Sequence, residues 1–275
     1  MITPSQVCTA GFANVPSTKY GAAAAYIPVD EMIVMCGGYD NYNNLDECHM
    51  LDLSSKSWSA FPSLSQARYR PTLTFVQDQN MLVAIAGNNE AQAATNTVEV
   101  LDLNGGQWTA KPEWAIPKVM NGQCAFYKSP YIYIVGGRNS GLEQPDTYRL
   151  DTTSSSPSWE LMASMFEGKA AFGCVHDEKT DTFYVAGGGI DDSAFAYDIS
   201  ANKWERLALL NQARDGPGLG VIGGLLTAFG GRYSGEVNTF ETYDGSRWKV
   251  DDKSFIDVRD SFAYVDVPEN VVKCQ

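Results

Sequence analysis

The stretch Tyr131-Ile-Tyr-Ile-Val-Gly-Gly-Arg138 forms one unit with Leu150-Asp151 and Trp159, which follow it. An apolar strand ends at paired glycines, a second strand ends at an Asp, and a Trp closes the unit. Four further copies occur: Cys36-Gly37-Gly38 with Asp52 and Trp58, Ala86-Gly87 with Asp102 and Trp108, Ala186-Gly187-Gly188 with Asp198 and Trp204, and Phe229-Gly230-Gly231 with Asp244 and Trp248. Repetition of this kind indicates an architecture in which each unit buries its apolar face against its neighbours.

The spacing of the units identifies the type of repeat. The second glycine stands at positions 38, 87, 137, 188 and 231, which gives a period of about fifty residues that shortens in the last step. Such a period is typical of one propeller blade of four short strands per repeat. The chain is therefore predicted to be a single all-β domain over 1–275, with repeats at about 19–66, 67–116, 117–166, 167–212 and 213–256.

The repeated residues are those that a blade needs. Glycine allows a sharp turn or a close backbone approach, Asp can bond the next backbone amides to begin a hairpin, and Trp is large enough to fill the wedge between blades. The sequence resembles the kelch-repeat family of β-propellers, whose mark is an apolar run before Gly-Gly, then a Tyr and a Trp at set distances. The resemblance begins near Lys19 and covers essentially the rest of the chain.

The two ends of the chain are predicted to close the ring. Residues 262–274 can be laid without gaps on 24–36, and residues 6–12 on 55–61. We therefore predict a kelch-type β-propeller of six blades, the last formed by 257–275 together with 1–18, because unpaired terminal strands would leave open edges. The alternative is five full blades with a stray strand.

The six cysteines give information on how the propeller ring closes and on the cellular compartment of the protein. Cys36 and Cys48 fall on adjacent antiparallel strands, where bridging distances occur, and a Cys8–Cys274 disulfide would lock the two ends together. Cys124 and Cys174 lie on the inner strands of neighbouring blades and are equally compatible with a bridge or with two buried thiols. Two well-placed pairs predict an oxidising, extracellular setting for a secreted protein. The alternative is a cytoplasmic protein with reduced cysteines, which the absence of an Asn-x-Ser/Thr sequon favours.

Charge and hydropathy exclude several functions. The formal net charge of −13 opposes binding to nucleic acids and to anionic membrane surfaces. No apolar run approaches the ~20 residues that cross a bilayer, so no membrane insertion is expected. The single propeller is expected to be a monomer.

Catalytic signatures are missing from the sequence. The two histidines, His49 and His176, fall at positions that do not converge on a shared metal site. No Gly-x-Ser-x-Gly elbow and no phosphate-binding glycine loop is present. We therefore expect no metal and no cofactor, and a binding module without catalytic function. The alternative is a propeller enzyme with a carboxylate- or metal-based site at the mouth of the channel.

The kelch resemblance implies where a ligand binds. In such propellers the loops after Gly-Gly and the loops leading into the innermost strands share one face around the channel mouth, and Gly-Gly-Arg138-Asn139 resembles loops with which some kelch adaptors grip acidic peptides. Tyr and Arg combine large contact area with bidentate hydrogen bonding. The predicted ligand-binding residues are Tyr20, Tyr39, Arg68, Asn88, Asn121, Arg138, Asn139, Arg214, Arg232, Tyr233 and Arg259.

The expected ligand is a protein segment or a small polar molecule. A structural alternative remains for three of the arginines, Arg68, Arg214 and Arg259. They would pair with nearby acids such as Asp215 and Asp260 and would make no contact with a ligand.

Overall fold

The computed structural model describes residues 13–17, 19–235, 237–254, 261, 263–265 and 267. These residues form five antiparallel sheets of four strands each, numbered here blade 1 to blade 5 in chain order. Within every blade the four strands are hydrogen-bonded in the order in which they occur in the chain.

Each of the five blades contains four short strands. Blade 1 contains Ala23–Ile27, Met32–Cys36, Cys48–Asp52 and Ser57–Phe61; blade 2 contains Thr72–Val76, Met81–Ile85, Val98–Asp102 and Thr109–Ala110; blade 3 contains Cys124–Lys128, Tyr131–Val135, Thr147–Asp151 and Trp159–Leu161. Blade 4 contains Gly173–Asp177, Thr182–Ala186, Ala194–Asp198 and Lys203–Arg206; blade 5 contains Gly218–Ile222, Leu225–Phe229, Thr239–Tyr243 and Trp248–Ser254. Between the strands lie a small hairpin, Arg138–Asn139 with Leu142–Glu143, and three 3₁₀ turns, Pro28–Asp30, Gln77–Gln79 and Pro112–Trp114.

The blades surround a central channel. First strands of successive blades contact one another and line a cavity of about 710 Å³. The second strands are covered on both faces, and Leu82 and Val83 of blade 2 are fully buried. Each apolar cluster joins two neighbouring blades, as where Val83 of blade 2 shares a cluster with Ile134 of blade 3. The core is therefore a set of inter-blade wedges.

The glycine pairs allow a close approach between successive repeats. Gly136 has φ +63°, and a Cβ at this position would lie 2.6 Å from the carbonyl oxygen of Lys169. The Gly137 amide donates to the same oxygen at 2.7 Å. Ala86, which replaces the first glycine in the second repeat, adopts φ +57°. A left-handed conformation costs a residue with a Cβ about 1–2 kcal/mol, so the repeat favours glycine here.

Four of the five repeat tryptophans, Trp108, Trp159, Trp204 and Trp248, pack into the apolar clusters between blades, as the sequence predicts, and all five form hydrogen bonds. Each indole N–H donates to a backbone carbonyl that precedes its own blade in the chain, at 2.8 to 3.0 Å. The pairs are Trp58 with Ala13, Trp108 with Pro62, Trp159 with Trp114, Trp204 with Ala163, and Trp248 with Ala208. These hydrogen bonds join consecutive repeats. The bond from Trp58 to Ala13 connects blade 1 to the segment 13–17.

A closed ring of backbone hydrogen bonds surrounds one end of the channel. Six residues with left-handed φ between 48° and 64° each donate an amide to the carbonyl of the preceding member, and the first donates to the last, at 2.8 to 3.1 Å. The members of this inner ring are Gly21, Arg70, Gly122, Ala171, Gly216 and Ser261. Five of them stand two residues before the first strand of a blade. The ring defines the channel end that we call the mouth.

The described residues form five four-stranded blades, which agrees with the alternative of five and not with the expectation of six. Most of the closing blade predicted over 257–275 and 1–18 lies outside the described residues. Within the described part, Ser261 takes the ring position that Gly21 takes in blade 1, whereas the alignment of 262–274 on 24–36 would assign that position to 259. The ring position therefore lies two residues later in the chain than that alignment predicts.

Two cysteine pairs lie at disulfide-bonding distance. Cys36 and Cys48 face each other in register on neighbouring strands of blade 1, with Cα atoms 4.1 Å apart. Cys124 and Cys174 join the first strands of blades 3 and 4, with Cα atoms 6.6 Å apart, so the pair that the sequence left open comes together. The predicted partners Cys8 and Cys274 lie outside the described residues. No helix within the described ranges is long and apolar enough to span a membrane.

Candidate functional site

The mouth is built from pairs of residues that two loops bring together in blades 1, 2, 3 and 5. The residue before a ring member forms an isolated backbone bridge with the residue after the glycine pair. The pairs are Tyr20 with Tyr39, Tyr69 with Asn88, Asn121 with Arg138, and Asp215 with Arg232. The two sets of loops therefore meet around the channel, as the kelch resemblance implies.

Most of the predicted ligand-binding residues are found in these loops. The bridges contain Tyr20, Tyr39, Asn88, Asn121, Arg138 and Arg232. Asn139 and Tyr233 directly follow two of them, and Tyr233 is 46% exposed. Arg259 lies outside the described residues.

Arg68 and Arg214 are buried and are not available to a ligand, contrary to the prediction. Their exposed fractions are 1% and 0%. Arg214 donates to Glu241 Oε1 at 3.0 and 3.2 Å and to the carbonyls of Gly230 and Thr239. Their partners are thus carboxylates of the third strands, and not the neighbouring acids that the structural alternative suggested.

Arg68 has the same environment in blade 2. It donates to Glu99 Oε1 at 2.9 Å and to the carbonyls of Ala86 and Thr97. Burial lowers the pKa of both guanidinium groups, and the carboxylate of each pair acts in the opposite direction. These two ion pairs hold the loops of the mouth to the blades.

Lys169 takes the equivalent position in blade 4, two residues before a ring member. It is 1% exposed, donates to the Gly187 carbonyl at 3.0 Å and forms an ion pair with Asp191. Desolvation of Asp191 opposes ionisation, yet hydrogen bonds from Lys169 and Ser193 keep the pKa of this carboxyl below its usual value. Lys169, like Arg68 and Arg214, therefore holds a loop of the mouth to its blade.

Arg70 is a mouth residue that the sequence interpretation missed. It is a member of the inner ring and lines the channel. Its guanidinium carbon lies 5.2 Å from the centre of the Tyr69 ring, and none of the carboxylates in the described ranges pairs with it. Arg138 and Arg232, in contrast, have Glu143 at 2.7 Å and Asp215 at 3.6 Å.

Three tyrosines pack together beside Arg70. The ring centres of Tyr20, Tyr39 and Tyr69, which we call the tyrosine trio, are 5.4 to 5.7 Å apart. Burial raises the pKa of the Tyr69 hydroxyl, and the charge of Arg70 acts in the opposite direction. Tyr20 is 36% exposed and the other two are half-buried. The trio gives one side of the mouth an aromatic surface.

The loops of blades 1 and 2 are tied to each other. The buried Asn44 side chain donates to the Asn88 and Asn89 carbonyls and accepts a hydrogen bond from Gln92 at 3.1 Å. These contacts fix the loop that carries Tyr39 relative to the loop that follows Gly87. The aromatic side of the mouth is therefore preorganised.

The two histidines lie on different blades. His176 lies 3.3 Å from Asp181 at the end of the first strand of blade 4, and His49 lies on the third strand of blade 1. Burial lowers the pKa of His49, and the charge of Lys19 acts in the same direction. The described residues contain no group of three or more His, Cys, Asp or Glu side chains that could hold a metal ion.

The fold and the mouth together define an all-β propeller with a channel that opens between Tyr- and Arg-bearing loops. A family model described as the KLHDC2/KLHL20/DRC7 Kelch-repeats domain matches residues 5–171. The chain belongs to the kelch-repeat family.

Several curated proteins are similar to this chain. Kelch-like protein 36 of Rattus norvegicus is 27% identical over 220 residues, which are 72% of this chain and 33% of that protein. Kelch-like protein 40 of Xenopus tropicalis is 25% identical over 244 residues, 82% of this chain and 38% of that protein. The chain thus spans about a third of the length of the curated relatives it matches.

A solved structure described as that of YjhT has the same fold. It aligns with a TM-score of 0.70 and 15% sequence identity, covering 88% of this chain and 86% of the other.

Proposed function

We propose that this chain is a binding module that holds an acidic protein segment at the mouth of its propeller. Kelch-repeat propellers are generally protein-interaction modules, which supports a protein ligand over a small polar molecule. The observation that carries the proposal is Arg70, a channel-lining arginine at the inner ring without a carboxylate partner in the described part of the chain. A carboxylate of the ligand would pair with the Arg70 guanidinium through charge-assisted, bidentate hydrogen bonds.

The charge around the mouth supports an acidic ligand although the whole chain carries −13. Arg138 and Arg232 stand on two further loops, with side chains 36% and 60% exposed. Their ion pairs with Glu143 and Asp215 are partly solvated and individually weak, on the order of 0–1 kcal/mol. A carboxylate of a ligand can replace Glu143 as the partner of Arg138 at small cost. The mouth thus offers three guanidinium groups on three blades.

The test is selection from a random peptide library displayed on phage, followed by affinity measurement on synthetic peptides. Selected peptides are expected to be enriched in Asp and Glu. Arg70→Ala should weaken the best peptide about ten- to hundredfold, as for loss of a hydrogen bond to a charged group, and Arg232→Ala should weaken it less. Binding should also weaken with added salt.

Lys203→Ala is the matched control, because it removes one positive charge from the exposed fourth strand of blade 4. This variant should bind like the original protein. Peptides without acidic enrichment, or equal affinities of Arg70→Ala and Lys203→Ala, would contradict the proposal. Size-exclusion chromatography with light scattering tests the proposed monomer in the same preparation.

We also propose that the protein works in an oxidising, extracellular setting, in keeping with the two cysteine pairs at bonding distance. Protein taken from its natural source, quenched in acid and alkylated under denaturing conditions, should leave Cys36, Cys48, Cys124 and Cys174 unmodified until reductant is added. The predicted Cys8–Cys274 disulfide should appear in the same digest. Complete alkylation without reductant would instead support a cytoplasmic location.

A further inference from the structure

The tyrosine trio and Arg70 lie side by side, and together they specify more than an acidic ligand. We propose that the captured segment carries an apolar side chain, aromatic or branched aliphatic, within two residues of an acidic one. The apolar side chain contacts Tyr20, Tyr39 and Tyr69 while the carboxylate binds Arg70. This inference rests on the proposed function and names the sequence class of the ligand.

The trio is a rigid contact surface. The backbone bridge between Tyr20 and Tyr39 has N···O distances of 2.9 and 3.2 Å and holds the two rings 5.4 Å apart. Tyr69 of the next repeat packs against both rings at 5.7 Å. Ordered tyrosines give large contact area at a low entropy cost, which is why they are frequent in binding hot spots.

The chemistry beside the trio excludes charged groups from it. Aromatic ring faces are electron-rich and repel a carboxylate. They attract cations, but the Arg70 guanidinium already lies 5.2 Å from the Tyr69 ring centre and would repel a second positive charge. An apolar side chain carries neither penalty and removes aromatic surface from water. The trio therefore fits an apolar group.

The spacing of the two features sets the spacing of the ligand residues. Consecutive Cα atoms of a peptide are about 3.8 Å apart, and side chains on the same face of an extended strand are about 6.6–6.8 Å apart. The distance of 5.2 Å from Arg70 to the nearest ring of the trio is comparable. One or two residue steps along the ligand therefore connect the carboxylate to the apolar side chain.

The test compares synthetic peptides that share one acidic residue in a Gly/Ser background. One peptide has Phe two residues from a central Asp, a second has Leu there, a third has Lys, and a fourth has Gly. The Phe and Leu peptides should bind about three- to tenfold more tightly than the Gly peptide, which is the usual range for an aromatic contact. The Lys peptide should bind no better than the Gly peptide.

Variants of the tyrosine trio test whether the trio is the site that binds the Phe side chain. Tyr20→Ala and Tyr39→Ala should each remove most of the advantage of the Phe peptide over the Gly peptide. Tyr42→Ala is the matched control, because Tyr42 is 83% exposed on the same loop as Tyr39 and lies outside the trio. It should preserve the Phe advantage.

The outcomes separate this inference from the proposed function. If acidic peptides bind but Phe, Leu, Lys and Gly are equivalent, or if Lys is preferred, the apolar subsite is wrong while acidic capture stands. If the Phe advantage persists in Tyr20→Ala and Tyr39→Ala, the trio is not its site. If Asp→Asn in the peptide has no effect, the proposed acidic capture is wrong. Should one variant fail to fold, the ranking of the four peptides on the original protein still decides.

Discussion

Replacing Arg214 by Leu is expected to lower the free energy of unfolding by about 3–5 kcal/mol, the usual effect of removing one partner from a buried ion pair. Arg214 and Glu241 both have fully buried side chains. The substitution leaves the Glu241 carboxylate in the interior without its counter-ion and leaves the Gly230 and Thr239 carbonyls without the guanidinium donor. Urea denaturation followed by tryptophan fluorescence measures the change.

Two further variants identify the cause of this effect. Lys203→Ala breaks an ion pair whose side chains are 66% and 64% exposed and should change stability by less than about 0.5 kcal/mol. The double variant Arg214→Leu/Glu241→Leu should recover part of the loss, because it removes the uncompensated charge. An Arg214→Leu variant as stable as Lys203→Ala would contradict the assigned role of the pair.

Structural features that depend on residues close together in the chain could be predicted from the sequence. The repeated Asp begins each hairpin as expected: Asp52 Oδ1 accepts hydrogen bonds from the Ser54 hydroxyl and from the Ser54 and Ser55 amides. These hydrogen bonds lower the pKa of Asp52 to about 2, and the Ser54 hydroxyl makes the largest contribution. The glycine pairs are likewise favoured by the left-handed backbone at these positions. Such signals fix the blade and the positions of its loops.

The buried arginines show where the sequence interpretation was insufficient. Arg68 and Arg70 stand two residues apart in one loop, and nothing local shows that the first points into the protein while the second lines the channel. The partner of Arg68 is Glu99, which lies 31 residues further on. A longer-range signal was present, since Glu99 and Glu241 both stand three residues before the repeated Asp, in the two blades whose loops carry these arginines.

Substitution of Trp204 by Ala is expected to cost about 3–5 kcal/mol, as for other large aromatic side chains in a core. Trp204 is 4% exposed and contacts Tyr197, Phe183 and Phe195, with ring centres 4.9 to 6.5 Å away. The truncation therefore opens a cavity in the wedge between blades 3 and 4. It also leaves the Ala163 carbonyl without the indole N–H that lies 3.0 Å away. Urea denaturation followed by far-ultraviolet circular dichroism measures the loss.

Trp58 provides a comparison at the same position of the repeat. It also donates to a carbonyl, that of Ala13 at 3.0 Å, but its side chain is only half-buried. Because less apolar surface returns to water, Trp58→Ala should cost clearly less than Trp204→Ala. Trp204→Phe should lower the free energy of unfolding less than Trp204→Ala does. It keeps an aromatic ring in the wedge and loses only the hydrogen bond and part of the volume. Equal losses for Trp58→Ala and Trp204→Ala would mean that the hydrogen bond, and not the filled wedge, is what each tryptophan contributes.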